Sequence, residues 1–335
     1  MPDSVLYVVC FISAGLGAWL VSRFGENYGL IDNPGERSSH GIPVPKGGGI
    51  GILASFVLAS TILEVPSGFW ISAFILSLIS LYGDKSELSP RFRMVVQFLA
   101  AVSFLISSQA FWQAPSHSLW LVTLWILGLL IFIVGTANFY NFMDGINGIA
   151  AITGIVAFGL LALYSITSHK DRLYVVLSIC ISLSCLGFLP FNIPKAKVFI
   201  GDAGSIFLGF VFAGMVILLA ESFLDFACLA SFLFPFYADE LSTMAVRLKD
   251  GENLLRPHRR HLYQLLANEK GITHWKISAG FGLFQLIVGA SALILQPFGI
   301  IAVLSALAVC FMAFIAVTVI IRKNFSTTPS KLENV

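Results

Sequence analysis

Long apolar runs alternate with short polar ones along almost the whole chain. The run "VLYVVCFISAGLGAWLVSRF", Val5 to Phe24, carries its only formal charge at Arg23. Crossing a hydrocarbon core of ~30 Å takes ~20 apolar residues in a helix. Eleven segments approach that length: 4–23, 47–64, 68–83, 94–111, 118–136, 146–167, 172–189, 204–221, 222–246, 277–296 and 299–321. The pattern predicts an all-α polytopic integral membrane protein with about eleven transmembrane helices. Residues 1–335 form one integral membrane domain, with a flexible cytoplasmic tail over about 324–335.

Composition agrees with the pattern. Apolar residues make up 57% of the chain and charged residues 11%, outside the range of a soluble domain. No basic stretch precedes the first segment, so it reads as a retained helix and not a cleaved signal. Cys10, Cys180, Cys185, Cys228 and Cys310 all fall inside apolar segments, so neither a disulfide framework nor a zinc site is indicated. No nucleic-acid partner is expected; membrane lipids surround the chain.

The net charge of +2 matters less than its distribution. Threading the eleven segments places 18 of the 20 Lys and Arg residues on one set of loops and only Lys170 and Arg172 on the other. The positive-inside rule makes the rich side cytoplasmic, with the amino terminus outside and the carboxyl terminus inside.

The same side collects Asp32, Asp84, Asp144 and Asp202 together with His40, His258 and His261. Acids, histidines and clustered basic residues on one face suit a phosphate-rich ligand and a hard cation. Mg²⁺ takes one or two carboxylates and completes its shell with phosphate oxygens and water.

The loops differ in how far they point to that chemistry. In "LIDNPGERSSHGIPVPKGGGIGI", Arg37, His40 and Lys46 could meet an anion; Gly47 and Gly51 read better as a small-residue packing face. Lys46 suits phosphate contact and interfacial anchoring equally. Asp84, in "YGDKSELSPRFR", suits a surface ion pair as well as a site. In "NFYNFMDGINGIA", Asn138, Asn141, Asp144 and Asn147 recur every third residue and would be costly to bury without partners, which favours ligand binding. In "KVFIGDAGSIFLGF", Asp202 precedes a helix start; Gly201 and Gly204 leave room for a bulky group near the backbone, although simple helix capping is the commoner use of such an aspartate. The longest loop holds Arg256, His258, Arg259, Arg260 and His261, a cluster that suits a diphosphate clamp better than a polybasic lipid anchor.

Five motifs in this order resemble the polyprenyl-phosphate N-acetylhexosamine-1-phosphate transferase family, to which WecA and MraY belong. The most specific are "NFYNFMDGINGIA", "FNIPKAKVFIGDAGSIFLGF" and "RPHRRHLYQ", supported by "SSHGIPVPKGGGIGI" and "LSPRFRMVVQFLAA". The segment "HRRHLYQ" looks closer to O-antigen and surface-polysaccharide initiators (WbpL-like) than to the MraY branch. The resemblance implies a cytoplasm-facing site in a bacterial inner-membrane enzyme. There, N-acetylhexosamine 1-phosphate passes from a UDP-N-acetylhexosamine to undecaprenyl phosphate, with Mg²⁺ required (Mn²⁺ able to substitute) and UMP released. It also implies a possible homodimer. By resemblance Asp202 is the metal-binding aspartate, and Asp84 one of an aspartate pair near the lipid phosphate, beside the metal. Asn141 and Asp144 match the nucleotide-side loop, with Asn147 at an often acidic position. His258 and His261, flanked by Arg259 and Arg260, match the histidine motif at the diphosphate.

One departure stands out. The family's pair is usually Asp-Asp, and the first member here is Gly83. A phosphate monoester has its second pKa near ~6 and is largely a dianion at neutral pH, so a carboxylate base at 83 is dispensable on chemical grounds. Asp84 would then orient the nucleophile or support the metal. The rival class is a membrane transporter or lipid flippase, hinted at only by Pro235, Asp239 and Glu240 within the ninth segment.

Overall fold

The computed structural model describes residues 1–35, 41–86, 88–108, 118–253 and 258–326. Its helices follow the apolar pattern: α1 (Asp3–Phe24), α2 (Ile50–Ile62), α3 (Ser67–Ser86), α4 (Pro90–Ser107), α5 (Leu119–Phe142), α6 (Ile149–Thr167), α7 (Arg172–Phe188), α8 (Asp202–Leu219), α9 (Phe223–Ala230), α10 (Phe234–Lys249), α11 (His274–Leu295) and α12 (Ile300–Ser326). Among the described residues nine helices are long and apolar enough to cross a membrane. The chain is an all-α, multi-pass membrane protein.

Two segments differ from the pattern. The second is a helix of only 13 residues, because its first glycines are spent on an irregular turn. The ninth is broken at Ser231–Leu233, a 3₁₀ turn between α9 and α10 with Pro235 in the first turn of α10, where its missing N–H costs nothing. Asn138 and Asn141, expected in a loop, lie on the last turns of α5. The expected tail falls, from residue 327 on, outside the described residues.

Helix α8 is the axis of the bundle and is buried along nearly all its length. Aromatic rings from three helices meet it edge-on: Phe56 of α2 on Phe207 at 5.1 Å, Phe104 of α4 on Phe210 at 6.2 Å, and Phe158 of α6 on Phe212 at 6.2 Å. Lipid is as apolar as these side chains, so close packing, not escape from water, holds the helices together. Two close backbone approaches need glycine. A Cβ on Gly51 would lie 2.6 Å from the Ala14 carbonyl of α1, and one on Gly49 would lie 2.4 Å from the Gly204 Cα. Gly51 is thus a packing residue, as its spacing predicts.

A two-residue ribbon, β1 (Ile31–Asp32) antiparallel to β2 (Val44–Pro45), delivers the chain to Gly47–Gly49. Those glycines run against residues 199–201: the Gly48 and Gly49 N–H groups donate to the Phe199 and Ile200 carbonyls, both at 2.9 Å. The first loop is thereby stitched to the start of α8.

Gly49→Ala tests that contact, since an added methyl has only backbone to push against. Overpacking of this kind costs ~1–3 kcal/mol, and the detergent-solubilised variant should melt several degrees below wild type. Gly128→Ala on α5, where a Cβ meets nothing within 4 Å, should melt at or slightly above the wild-type temperature. Equal melting of the two variants would count against a tight Gly49–Gly204 contact.

Candidate active site

The start of α8 is capped from outside its own sequence. Gly201 holds the N-cap position at φ 72°, a left-handed conformation that suits glycine, and Asp202 is the first helical residue. The Asp202 side chain does not cap its helix. Instead the Asp202 and Ala203 N–H groups donate to the two carboxylate oxygens of Asp84, each at 3.4 Å. The Gly204 and Ser205 N–H groups donate to the Gly201 carbonyl at 3.0 Å. The first three helical amides are therefore taken, and Ser205 makes the ordinary bond back to the N-cap carbonyl. Gly201 makes room for protein and not for a ligand: a Cβ there would lie 2.7 Å from the Gly47 nitrogen and 2.8 Å from Asp84 Oδ2. Asp84 is only 7% exposed, and Lys46 Nζ stands 3.9 Å from its Oδ1.

Freed from capping, the Asp202 carboxylate faces sideways. Its Oδ2 pairs with the Arg93 guanidinium from α4, and its Oδ1 accepts from Asn141 Nδ2 at 2.9 Å. Asn141 also donates to Ser205 Oγ at 2.8 Å. Asp144, just beyond α5, is half-buried; its N–H donates to the Asn141 carbonyl at 3.1 Å, and its carboxyl group has no hydrogen-bond or ion-pair partner among the described residues. Burial, with the negative charges of Asp202 and Asp84 next in weight, pushes its carboxyl up to about 8. Asp84, Asp144, Asp202, Asn141 and Lys46 are thus one neighbourhood. Asn138 is not part of it: its amide is exchanged with Gln97 of α4 and also donates to the Val134 carbonyl at 2.7 Å.

The histidine loop reaches this neighbourhood through Tyr263. Its hydroxyl donates to the Phe142 carbonyl at 3.0 Å, and its ring fills the space where a Gly145 Cβ would lie, 2.3 Å from the hydroxyl. The turn Leu262–Gln264 is held from α10, where fully buried Asp239 accepts from the Leu262 N–H at 2.9 Å and the Tyr263 N–H at 3.4 Å. His261 is 2% exposed, with Nδ1 3.6 Å from Asp239 and Nε2 3.4 Å from Glu240. It is wedged between the His258 ring, 4.8 Å away by centroid, and a stacked Tyr263. Buried in this way, His261 supports the loop, and half-buried His258 is the histidine that can reach a ligand. Burial, then the neighbouring His261 and Arg247, holds His258 down to about 4, so it is a neutral hydrogen-bonding group at pH 7.

Arg260 is also engaged within the protein, paired with Asp250 at 2.6 Å and with Glu252, while buried Arg247 meets Glu252 at 3.0 Å. Arg259 is half-buried at the same rim. Asn147 faces elsewhere. Its side chain donates to the Pro194 carbonyl at 3.3 Å and its N–H to His274 Nδ1 at 3.4 Å, beside a cavity of about 610 Å³ that Lys195, Lys197 and Trp275 also line. Arg37, His40 and Arg256 lie outside the described residues. Sequence reasoning missed Arg93, Gln97 and the supporting role of Asp239 and Glu240. The last two were the features that hinted at a transporter, and the structure ties both to the His261 turn.

Comparison with known proteins decides the family. The family model described as Glycosyl transferase family 4 matches residues 67–220. An undecaprenyl-phosphate alpha-N-acetylglucosaminyl 1-phosphate transferase of Thermotoga maritima is 30% identical over 279 residues, 81% of this chain and 85% of that protein. The chain belongs to glycosyl transferase family 4. A probable undecaprenyl-phosphate N-acetylglucosaminyl 1-phosphate transferase of Bacillus subtilis is 26% identical, covering 87% of this chain and 84% of its own length. A phospho-N-acetylmuramoyl-pentapeptide-transferase of Lacticaseibacillus paracasei is 28% identical over 72% of this chain and 81% of that protein.

For this family 4 member the fit of a hard cation can be judged from the donors. No group of three His, Cys, Asp or Glu side chains suited to a metal occurs among the described residues. What occurs is an acidic excess with one partnerless carboxylate, Asp144, and a second, Asp202, whose Oδ2 is held only by Arg93. That set fits a cation which brings phosphate and water ligands of its own.

The elevated Asp144 carboxyl sets a pH dependence. Between its ordinary 3.8 and about 8 the folded chain holds a proton that the unfolded chain has lost, so this group's contribution to stability falls as pH rises through that window. In metal-free detergent buffer, melting temperature should decline from pH 5 to pH 8 more steeply for wild type than for Asp144→Asn. Parallel profiles would show that Asp144 ionises normally.

Proposed function

We propose that the protein transfers N-acetylhexosamine 1-phosphate from a UDP-sugar to undecaprenyl phosphate at the cytoplasmic face of the bacterial inner membrane. The products are undecaprenyl-diphosphate-sugar and UMP. The observation that carries the reading is the convergence of Asp84, Asp144, Asp202 and Asn141 at one mouth of a membrane-embedded bundle, beside the His258 loop. The relatives named above, two of them undecaprenyl-phosphate N-acetylglucosaminyl 1-phosphate transferases by name and one a phospho-N-acetylmuramoyl-pentapeptide-transferase, support it. The likeness of "HRRHLYQ" to surface-polysaccharide initiators supports a place at the start of O-antigen or a related glycan.

In this reading a phosphate oxygen of the lipid attacks the sugar-bearing phosphorus of the donor. That P–O bond forms as the bond to the bridging oxygen breaks, and the bridging oxygen leaves with UMP. Mg²⁺, held by Asp202 with Asp84 or Asp144 nearby, would supply charge neutralisation on the diphosphate and the leaving oxygen. Lys46, beside Asp84, draws in the incoming phosphate dianion. Neutral His258 donates a hydrogen bond to the diphosphate, and Arg259 adds positive charge at the rim. Asn147 and the adjoining cavity, with Lys195, Lys197 and Trp275, offer cations and an aromatic face on the nucleotide side. The α8 amides, already capped, take no part in phosphate binding, so side-chain cations and the metal must supply that charge.

The test is UMP release by purified protein given undecaprenyl phosphate, Mg²⁺ and UDP-N-acetylhexosamines one at a time. Release with at least one donor is expected, lost on chelation and reduced roughly a hundredfold or more in Asp202→Asn, ~2.7 kcal/mol of barrier. Donor and lipid binding without UMP release from any donor would reject the reading.

A further inference from the structure

Arg93 is the one residue of the acidic neighbourhood whose position conflicts with a loaded site. Its guanidinium occupies Asp202 Oδ2, while Asn141 holds Oδ1. A divalent cation that binds Asp202 through Oδ2 must evict Arg93. The neighbour that would otherwise hold it is missing: a Cβ at Gly83 would point to within 3.7 Å of Arg93 Nε, with only the flexible end of Leu88 closer, at 3.3 Å. A carboxylate at position 83 would face the guanidinium; glycine there leaves Asp202 as its partner. Lys46 makes a looser, 3.9 Å contact with Asp84 and blocks no oxygen of Asp202.

We propose that Arg93 is a stand-in cation that leaves Asp202 when the metal arrives and then binds the phosphate of the polyprenyl acceptor. The idea rests on the transferase reading above and adds to it a coupling between two ligands. With Arg93 on Asp202, the metal competes against a fixed positive charge. With Arg93 on the acceptor phosphate, Asp202 is open. Acceptor and metal therefore favour one another's binding by the same factor, as linkage requires. An arginine suits the exchange because its planar fork fits carboxylate and phosphate alike. Placed on α4 at the junction of bundle and loops, it needs only side-chain rotation to change partners. No bond is made or broken in this exchange.

The experiment measures Mn²⁺ affinity of the full chain in detergent by electron paramagnetic resonance, with and without undecaprenyl phosphate. Thermal melts accompany it to confirm folding. In wild type, the lipid phosphate should tighten Mn²⁺ binding roughly tenfold. Arg93→Gln should bind Mn²⁺ about that much more tightly without lipid, gain little when lipid is added, and bind the lipid more weakly. Gly83→Asp, which keeps the arginine but offers it a second carboxylate, should also bind Mn²⁺ tightly and show a reduced response to lipid. Undiminished coupling in Arg93→Gln, or unchanged Mn²⁺ and lipid affinities, would overturn the proposal and leave the transferase reading intact. A wild-type chain that binds neither Mn²⁺ nor undecaprenyl phosphate would overturn both, and the UMP assay would then fail as well.

Discussion

The Asp84 carboxylate lies across the first two amides of α8, and much of the site's arrangement follows from that contact. A helix amino terminus carries partial positive charge and unsatisfied donors. In this bundle it is answered by a carboxylate from α3, 118 residues away in the sequence. The contact fixes α3 against α8, closes the helix end to other anions, and releases Asp202 from capping. An aspartate at the first helical position with no capping duty can turn toward Arg93 and Asn141. The same contact explains why residue 201 must be glycine: the cap and the Gly47 backbone press on it from one side.

The site has two halves with different internal logic. On the aspartate half, carboxyl groups outnumber the fixed cations, and the Asp144 carboxyl has no partner among the described residues. On the histidine half, charges are matched within the protein. Asp239 ties down the turn that bears Tyr263, Glu240 and Asp239 flank His261, and Arg247 and Arg260 share Glu252. A buried carboxylate beside a buried imidazole is costly unless other bonds hold it, and here the Leu262 and Tyr263 amides bond to Asp239. Tyr263 joins the halves by bonding to the last turn of α5, one residue before Met143 and two before Asp144.

Much of this was legible in the sequence. The apolar runs identify each of the nine long apolar helices among the described residues, because a bilayer imposes a length that few other environments require. The clustering of Asp84, Asp144 and Asp202 could be inferred from their shared side of the membrane, and the structure brings them together. Side-chain direction was not legible. Asn138 and Asn141 lie three residues apart on one helix, yet one turns to Gln97 and the other to Asp202, since rotamer and neighbouring helix decide and sequence spacing does not. The buried place of His261 and the self-pairing of Arg260 depend on α10 and on residues 250–252, which are remote from the histidine motif's own pattern. Asp239 and Glu240 looked like intramembrane charges in search of a substrate; their partners sit more than twenty residues further on. Arg93 was hidden for a simpler reason. In the sequence it is one of several basic residues in a basic loop, and only the fold sets it against Asp202.

Ion pairs among residues 247–252 and 260 fasten the two ends of one loop. Arg247, Asp250, Glu252 and Arg260 satisfy one another, and Arg322 of α12 reaches this loop by donating at 2.8 Å to the main-chain carbonyl of residue 260, a group that every sequence supplies. The loop is therefore a transplantable module. Exchanging the stretch as a block would sever none of these pairs, whereas replacing Arg260 alone would strip Asp250 of its ion-pair partner.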